Sequence, residues 1–243
     1  MKNCKKCMDV TLSLSMLLLL SCTPTTTIPT TTVIKTGQTT CYHNKEYTYE
    51  GADKDTISCT GTGQDGEYQI GVAWPTPRFS ANIDKNNDGD CTDTGERCDG
   101  TITDNLTGLI WLKNTNCAEM ERNWVTAFKD VVQLNTDGTM NGNDCGDTSN
   151  RDSHQTDWRL PNIRELHSLI NYAYFFPALS NVARETRDTE ESHVFSNVRD
   201  QYWSSTTLAY NASSAWFVSL EYGGIFTADK SKNYSVWPVR GGQ

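Results

Sequence analysis

The segment Thr156-Asp157-Trp158-Arg159-Leu160-Pro161-Asn162 constrains the fold most tightly, because it forces an extended stretch to run straight into a helix. The Pro161 ring clashes with a helical residue before it, so Leu160 is held extended. Asn162 is a good N-cap, and Glu165 stands at the third helical position, where its carboxylate reaches back to the cap's N–H as in a capping box. Ile163, Leu166, Ile170 and Ala173 recur at helical spacing and Leu169 widens their face. That pattern predicts a helix from Ile163 to Tyr174, with Pro177 forbidding continuation. Trp158 and Arg159 sit at the corner, where a large aromatic beside a planar cation suits packing, stacking and carboxylate pairing. Their part is read as structural, not catalytic.

The 243 residues leave room for one ordinary domain plus a leader and a tether. Lys2, Lys5 and Lys6 precede the apolar run Met16 to Leu20, which is too short to span a membrane and reads as a secretory leader over residues 1–21. Leu19-Leu20-Ser21-Cys22 resembles a lipobox, which makes Cys22 the expected lipidated first residue of the mature protein. Residues 22–40 are mostly threonine with Pro24 and Pro29, and carry too little apolar surface for a core; they read as a tether. Loss of the leader removes three lysines and one aspartate, so the net charge of −9 becomes −11. A surface that acidic makes nucleic acid an unsuitable partner.

Of nine cysteines, Cys4 and Cys7 leave with the leader and Cys22 takes lipid. The remaining Cys41, Cys59, Cys91, Cys98, Cys117 and Cys145 suit three disulfides in an exported protein, and pairing by proximity gives Cys41–Cys59, Cys91–Cys98 and Cys117–Cys145. Residues 41–100 form a cysteine-containing extension of short edge strands and loops. Within it, Asp84, Asn86 and Asp88 followed by Gly89 match the first half of a calcium loop, with Asp90 and Asp93 as further oxygen donors. The twelfth position is Gly95, so the EF-hand pattern is incomplete, and the competing reading is a solvated Asn/Asp/Gly turn. Calcium is the one cofactor the residues suggest.

Thr101–Asp104 and Leu109–Leu112 flank Asn105-Leu106-Thr107-Gly108 as strand, turn and strand. Asn123 caps a second helix whose Trp124, Ala127, Phe128, Val131 and Leu134 share a face, until Asp137-Gly138 breaks it. Asn141 to Gln155 is a polar loop that returns Cys145 toward Cys117. Tyr202–Thr206, Ala215–Leu220, Ile225–Ala228 and Tyr234–Val239 read as short strands, with Glu221-Tyr222-Gly223-Gly224 as a hairpin turn. Two helices set against small antiparallel sheets and held by disulfides make an α+β domain, of C-type-lectin-like type rather than a parallel-sheet enzyme.

Five segments, Thr103-Asp104-Asn105-Leu106-Thr107-Gly108-Leu109-Ile110-Trp111, Asp157-Trp158-Arg159-Leu160-Pro161-Asn162, Tyr202-Trp203-Ser204-Ser205-Thr206, Ala215-Trp216 and Pro238-Val239-Arg240-Gly241-Gly242, together resemble the Lcl C-terminal domain family, named for the Legionella collagen-like adhesin. The resemblance covers residues 101–243, and Thr36–Thr40 and Gly71–Pro75 are similar to sequences that precede this domain. It implies a C-type-lectin-like fold on a surface protein and, in the adhesin, attachment to sulfated polysaccharide; no catalytic residues come with it. Formylglycine-generating enzymes share the fold class but use paired cysteines late in the chain. Here no cysteine follows Cys145.

For an enzyme the sequence offers little. His43, His154, His167 and His193 join no cysteine, serine or acid in a motif, and Ser204-Ser205-Thr206 lacks the glycine flanks of a nucleophile elbow. Tyr, Trp, Asn, Ser and Gly crowd Tyr202 to Tyr234, a composition like that of paratope loops. Trp203, Trp216 and Trp237 lie on expected strands and are assigned to packing, which leaves Tyr210, Asn211, Tyr222 and Asn233 as the exposed ligand-binding residues. The expected function is a lipid-anchored, adhesin-like binder of an extracellular carbohydrate or protein, at the outer membrane or cell surface. The alternative is a structural envelope lipoprotein without a specific external ligand.

Overall fold

The computed structural model describes residues 33–43, 56–81, 99–179 and 194–241. In chain order the elements are β1 (Cys41–Tyr42), β2 (Thr56–Ile57), α1 (Asp65–Tyr68), β3 (Phe79–Ala81), β4 (Thr101–Asp104), β5 (Leu109–Leu112), β6 (Arg122–Asn123), α2 (Trp124–Asp137), β7 (Thr139–Met140) and β8 (Asn143–Asp144). There follow α3 (Ile163–His167), β9 (Gln201–Thr207), β10 (Ser214–Ser219), β11 (Gly224–Asp229), β12 (Asn233–Tyr234) and β13 (Val239–Gly241). The result is an α+β fold of small antiparallel sheets. Its largest are a four-stranded sheet in the order β13-β5-β4-β3 and a three-stranded meander in the order β11-β10-β9. Among the described residues no helix is long and apolar enough to cross a membrane.

The core between these sheets is aromatic. Trp111, Trp203, Trp237, Tyr202, Phe79 and Phe195 are fully buried. Trp237 sits at the centre, with ring centroids 5.1 Å from Trp111, 4.8 Å from Phe195 and 5.2 Å from Tyr202, in tilted or edge-on arrangements that suit aromatic quadrupoles. Burial of a polar tip requires a partner, and most indoles have one. Trp237 Nε1 donates to Leu112 O at 2.9 Å, Trp203 to Arg122 O at 2.9 Å, Trp124 to Ser204 O at 2.8 Å and Trp158 to Asp147 Oδ2 at 2.7 Å. The Tyr202 hydroxyl meets Thr115 Oγ1 at 2.8 Å and accepts from Arg199 N at 2.6 Å; burial raises its pKa far above that of an ordinary phenol.

Helix α2 begins and ends as its caps dictate: Asn123 Oδ1 accepts from Thr126 N at 2.9 Å, and Gly138 takes the left-handed conformation at φ 79°. It buries Ala127, Val131 and Leu134. The corner behaves as its residues suggest. Glu165 accepts from Asn162 N at 2.8 Å, closing the capping box, and takes two bonds of 2.7 and 2.6 Å from the Arg159 guanidinium. Asn135, in the last turn of α2, donates to Trp158 O and accepts from Trp158 N, both at 2.8 Å, while Arg159 pairs with Val239 of β13. The segment Trp158–Asn162 thus fastens both longer helices and the four-stranded sheet together.

Two expectations are corrected. The helix expected to reach Tyr174 stops at His167, because Ser168 Oγ donates back to Glu165 O and the chain tightens: Leu169 N bonds Leu166 O at 3.3 Å and Ile170 N bonds His167 O at 3.1 Å. Leu169 and Ile170 still reach the core, which explains why their spacing imitates a longer helix. The strand expected over Tyr234–Val239 divides into β12, paired with β6, and β13, paired with β5. Val236 and Trp237 cross between them through the core, and Pro238 has no N–H to continue a ladder.

The bridges Cys41–Cys59 and Cys117–Cys145 form, with Cα–Cα separations of 5.1 and 5.2 Å. Cys91 and Cys98, the loop residues Asp84, Asn86, Asp88, Asp90 and Asp93, and Cys22 lie outside the described residues.

Candidate functional site

The four residues expected to bind ligand are all exposed, but the strands divide them between two ends of the meander. Register pairs Ser214 with Asp229 at one end of β10–β11 and Ser219 with Gly224 at the other. Tyr210 and Asn211 lie in the β9–β10 turn at the first end. Lys230 N bonds Ser213 O there, and Lys230 O takes the Trp124 N–H, which brings Asn233, paired with Asn123, to the same side. The Lys230 ammonium sits 3.8 Å from the Trp124 ring centroid, a cation–π contact. The Asn211 amide is already engaged in shaping its own turn: Oδ1 accepts from Ser213 N and Oγ, and Nδ2 donates to Ser214 Oγ. Tyr222 occupies the β10–β11 turn at the opposite end, about 20 Å away along strands that rise about 3.3 Å per residue.

At the Tyr222 end the structure assembles something else. Phe176 N donates to Glu221 O at 2.9 Å and Ala178 N to Leu220 O at 2.6 Å, so the loop after α3 is stitched to the β10–β11 turn. Gly223 makes this approach possible: a Cβ there would stand 3.1 Å from Ile170 Cγ2 and 3.2 Å from Ala178 Cβ, and its φ is 69°. The consequence is a cluster of outward aromatics, with Tyr222 69%, Phe175 62%, Phe176 57% and Tyr172 46% exposed. The Tyr172 hydroxyl meets His167 Nε2 at 2.6 Å, and burial pushes the imidazole below its ordinary pKa and the phenol above its own. Tyr172, Tyr174, Phe175 and Phe176 fall within five residues, too dense a run of aromatics for one buried helix face, and this is the signal that marks the loop in the sequence.

Beside this cluster lies a cleft of about 270 Å³ between the loop and the upstream segment. It is lined by Lys35, Gln38, Thr39, Gln69 and Trp74 of the upstream segment and by Asn171 and Tyr174 from the loop. The upstream wall is held by backbone bonds: Lys35 N to Val72 O at 3.2 Å, Val72 N to Val33 O at 2.8 Å, and Tyr172 N to Thr36 O at 2.9 Å. Trp74 Nε1 donates to Lys35 O at 2.9 Å, and the Arg78 guanidinium carbon stands 4.4 Å from the Trp74 ring centroid.

The serines that an enzyme reading would single out have structural partners. Ser204 is buried, its hydroxyl donating to Trp216 O at 2.7 Å, and Ser205 Oγ donates to Pro161 O at 3.2 Å. Among the described residues no group of three or more His, Cys, Asp and Glu side chains is placed to hold a metal ion.

The model of the Lcl C-terminal domain matches residues 100–240. The chain belongs to that family. No curated protein matches the chain. The Lcl C-terminal domain match takes in both ends of the meander, the Trp158–Asn162 corner and the aromatic loop. It begins after β3, however, whose Phe79–Ala81 pairs with β4 as the edge of the four-stranded sheet, and after the upstream wall of the cleft.

Proposed function

We propose that this member of an adhesin-related domain family is an exported, non-catalytic recognition module of C-type-lectin-like design that binds a carbohydrate or protein on another surface. The observation that carries the reading is the cluster of Tyr172, Phe175, Phe176 and Tyr222, large aromatics left in solvent on two loops tied together by backbone hydrogen bonds. Rigid, exposed aromatics give large contact area at low entropic cost, which is the use that binding surfaces make of them. Lipid on Cys22 and the tether over residues 22–40 would hold the module away from the outer membrane or cell surface. Asp84, Asn86, Asp88, Asp90 and Asp93 would order their loop around calcium. The Tyr210, Asn211 and Asn233 side chains form a second, smaller candidate face.

The deciding experiment is binding of the mature chain to glycan and cell-surface protein arrays, with calcium and with chelator. Joint alanine replacement of Phe175, Phe176 and Tyr222 is expected to abolish binding that survives joint replacement of Tyr210, Asn211 and Asn233. The reverse pattern would move the site to the other end, and no binding by the parent chain would favour a structural envelope role.

A further inference from the structure

The cleft beside the aromatic loop has a property that its location alone does not require: its polar groups are partly committed to the protein and partly left over, in a defined arrangement. Asn171 is 2% exposed, and its Oδ1 accepts the Ala173 N–H at 3.0 Å, which fixes the amide's orientation. Its Nδ2 therefore points away from that turn, and among the described residues no protein acceptor receives it. An amide donor that no protein acceptor receives, on a side chain held in place at the wall of a cleft, is a group that a ligand can satisfy. The two glutamines are committed in the complementary sense. Gln38 Nε2 donates to Thr40 O at 3.2 Å and Gln69 Nε2 donates to Gly66 O at 3.3 Å, so each leaves its carbonyl oxygen as the spare group. The Lys35 ammonium and the Thr39 hydroxyl complete the polar lining, Trp74 and Tyr174 supply apolar walls, and among the described residues no carboxylate lines the cleft.

We infer that this cleft is a subsite for a single pyranose residue of a glycan, neutral or bearing one carboxylate. The inference rests on the recognition role proposed above and names its ligand class. A sugar hydroxyl both donates and accepts, so neighbouring hydroxyls can take the Asn171 donor and give to the Gln38 and Gln69 acceptors at once, while the C–H faces of the ring lie against aromatic walls. The volume agrees: about 270 Å³ falls just below the range of about 300–1,000 Å³ that holds drug-sized ligands, so one ring fits and an extended chain must leave over the rim. Tyr172 and Phe175, exposed neighbours in sequence of the lining residues Asn171, Ala173 and Tyr174, would meet the next residues of that chain. Because Lys35, Gln38, Thr39, Gln69 and Trp74 all precede residue 100, most of the subsite belongs to the upstream segment and not to the family domain.

The test is saturation-transfer NMR on the mature chain with methyl glycosides of hexoses, N-acetylhexosamines and hexuronic acids as probes, and a proline-rich peptide as the competing class. Transfer from aromatic protons to the ring protons of at least one glycoside class is expected. Asn171→Asp keeps the Oδ1 acceptor but removes the donor, and should weaken that binding at least tenfold; the joint Gln38→Ala and Gln69→Ala variant, which gives up the two side-chain bonds to Thr40 O and Gly66 O, should do the same with the fold retained by circular dichroism. No transfer to any glycoside, transfer unaffected by the glutamine pair, or a preference for the peptide would each overturn the subsite. Array binding that is lost on replacing Phe175, Phe176 and Tyr222 but indifferent to Asn171→Asp would overturn it while leaving the recognition role intact. Glycosides that bind in the cleft of a chain with no array ligand would support the subsite and remove the surface role.

Discussion

Arg78 and Asp104 are both fully buried and face each other through two hydrogen bonds, Nε to Oδ1 at 2.7 Å and Nη2 to Oδ2 at 2.9 Å. Arg78 Nη2 also donates to Ser168 O at 2.9 Å, just past the end of α3, so one guanidinium joins the β3 approach, the β4–β5 turn and the helix terminus. Asp104 shapes its turn as well, accepting from Leu106 N at 3.0 Å and from Thr107 Oγ1 at 2.8 Å.

This pair predicts a stability cost that is large for one side chain. Arg78→Met leaves a buried carboxylate short of its counter-charge and should destabilise by about 3–5 kcal/mol in chemical denaturation. Replacing both residues by apolar ones should recover part of that loss. A fragment that starts at residue 100, where the family match begins, lacks Arg78 and β3, and is expected to show no cooperative unfolding transition, whereas one starting at Val33 should.

The Cys117–Cys145 bridge closes a loop of sequence separation 28 around β6, α2, β7 and β8. The chain-entropy model assigns such a loop about 3.5 kcal/mol, so the joint Cys117→Ala and Cys145→Ala variant should lose roughly that much. Peptide mapping without reductant should recover the two cysteines in one linked fragment, and a link from either to another cysteine would refute the pairing.

Asp147 predicts a dependence on acid. Burial alone would raise its carboxyl, but Ser149, Gln155 and Trp158 donate to it and together hold its pKa below the ordinary value of 3.8. A carboxylate depressed in the folded state contributes stability that is present above its unfolded pKa and lost as pH falls through the folded one. The parent should therefore lose stability as pH drops below about 4, and Asp147→Asn should be less stable at pH 7 but shed less on acidification. Denaturation midpoints measured across that range check both halves of the expectation.

What was legible in the residues divides along a physical line. Asn123, Gly138, Asn162 and Glu165 announce helix ends because capping is local chemistry, completed within three or four residues. Leu166, Leu169 and Ile170 mislead about the length of α3 because a tightened turn can deliver the same side chains to the core as a helix would. Arg78 is silent in the sequence, since its partner Asp104 is brought to it by sheet pairing and not by spacing. The exposure of Tyr210, Asn211, Tyr222 and Asn233 follows from composition and turn position. Which of them share a surface depends on strand length and register, and the cleft depends on contacts between segments that lie far apart in the chain, so neither can be seen in any one stretch.

Gly223 offers the sharpest separation of structure from recognition. It stands at φ 69°, where a side chain is strained, and a Cβ would press on Ile170 and Ala178, which hold the aromatic loop against the β10–β11 turn. Gly223→Ala should therefore cost about 1–3 kcal/mol and displace the loop, lowering both the melting temperature and any binding through Phe175, Phe176 and Tyr222. Tyr222→Ala, 69% exposed in the parent, should lower binding with the melting temperature unchanged. If Gly223→Ala melts at a lower temperature yet binds as the parent does, the alignment of the two loops is irrelevant to recognition, and the site must be sought at the Tyr210 end, where Gly223 makes no contact.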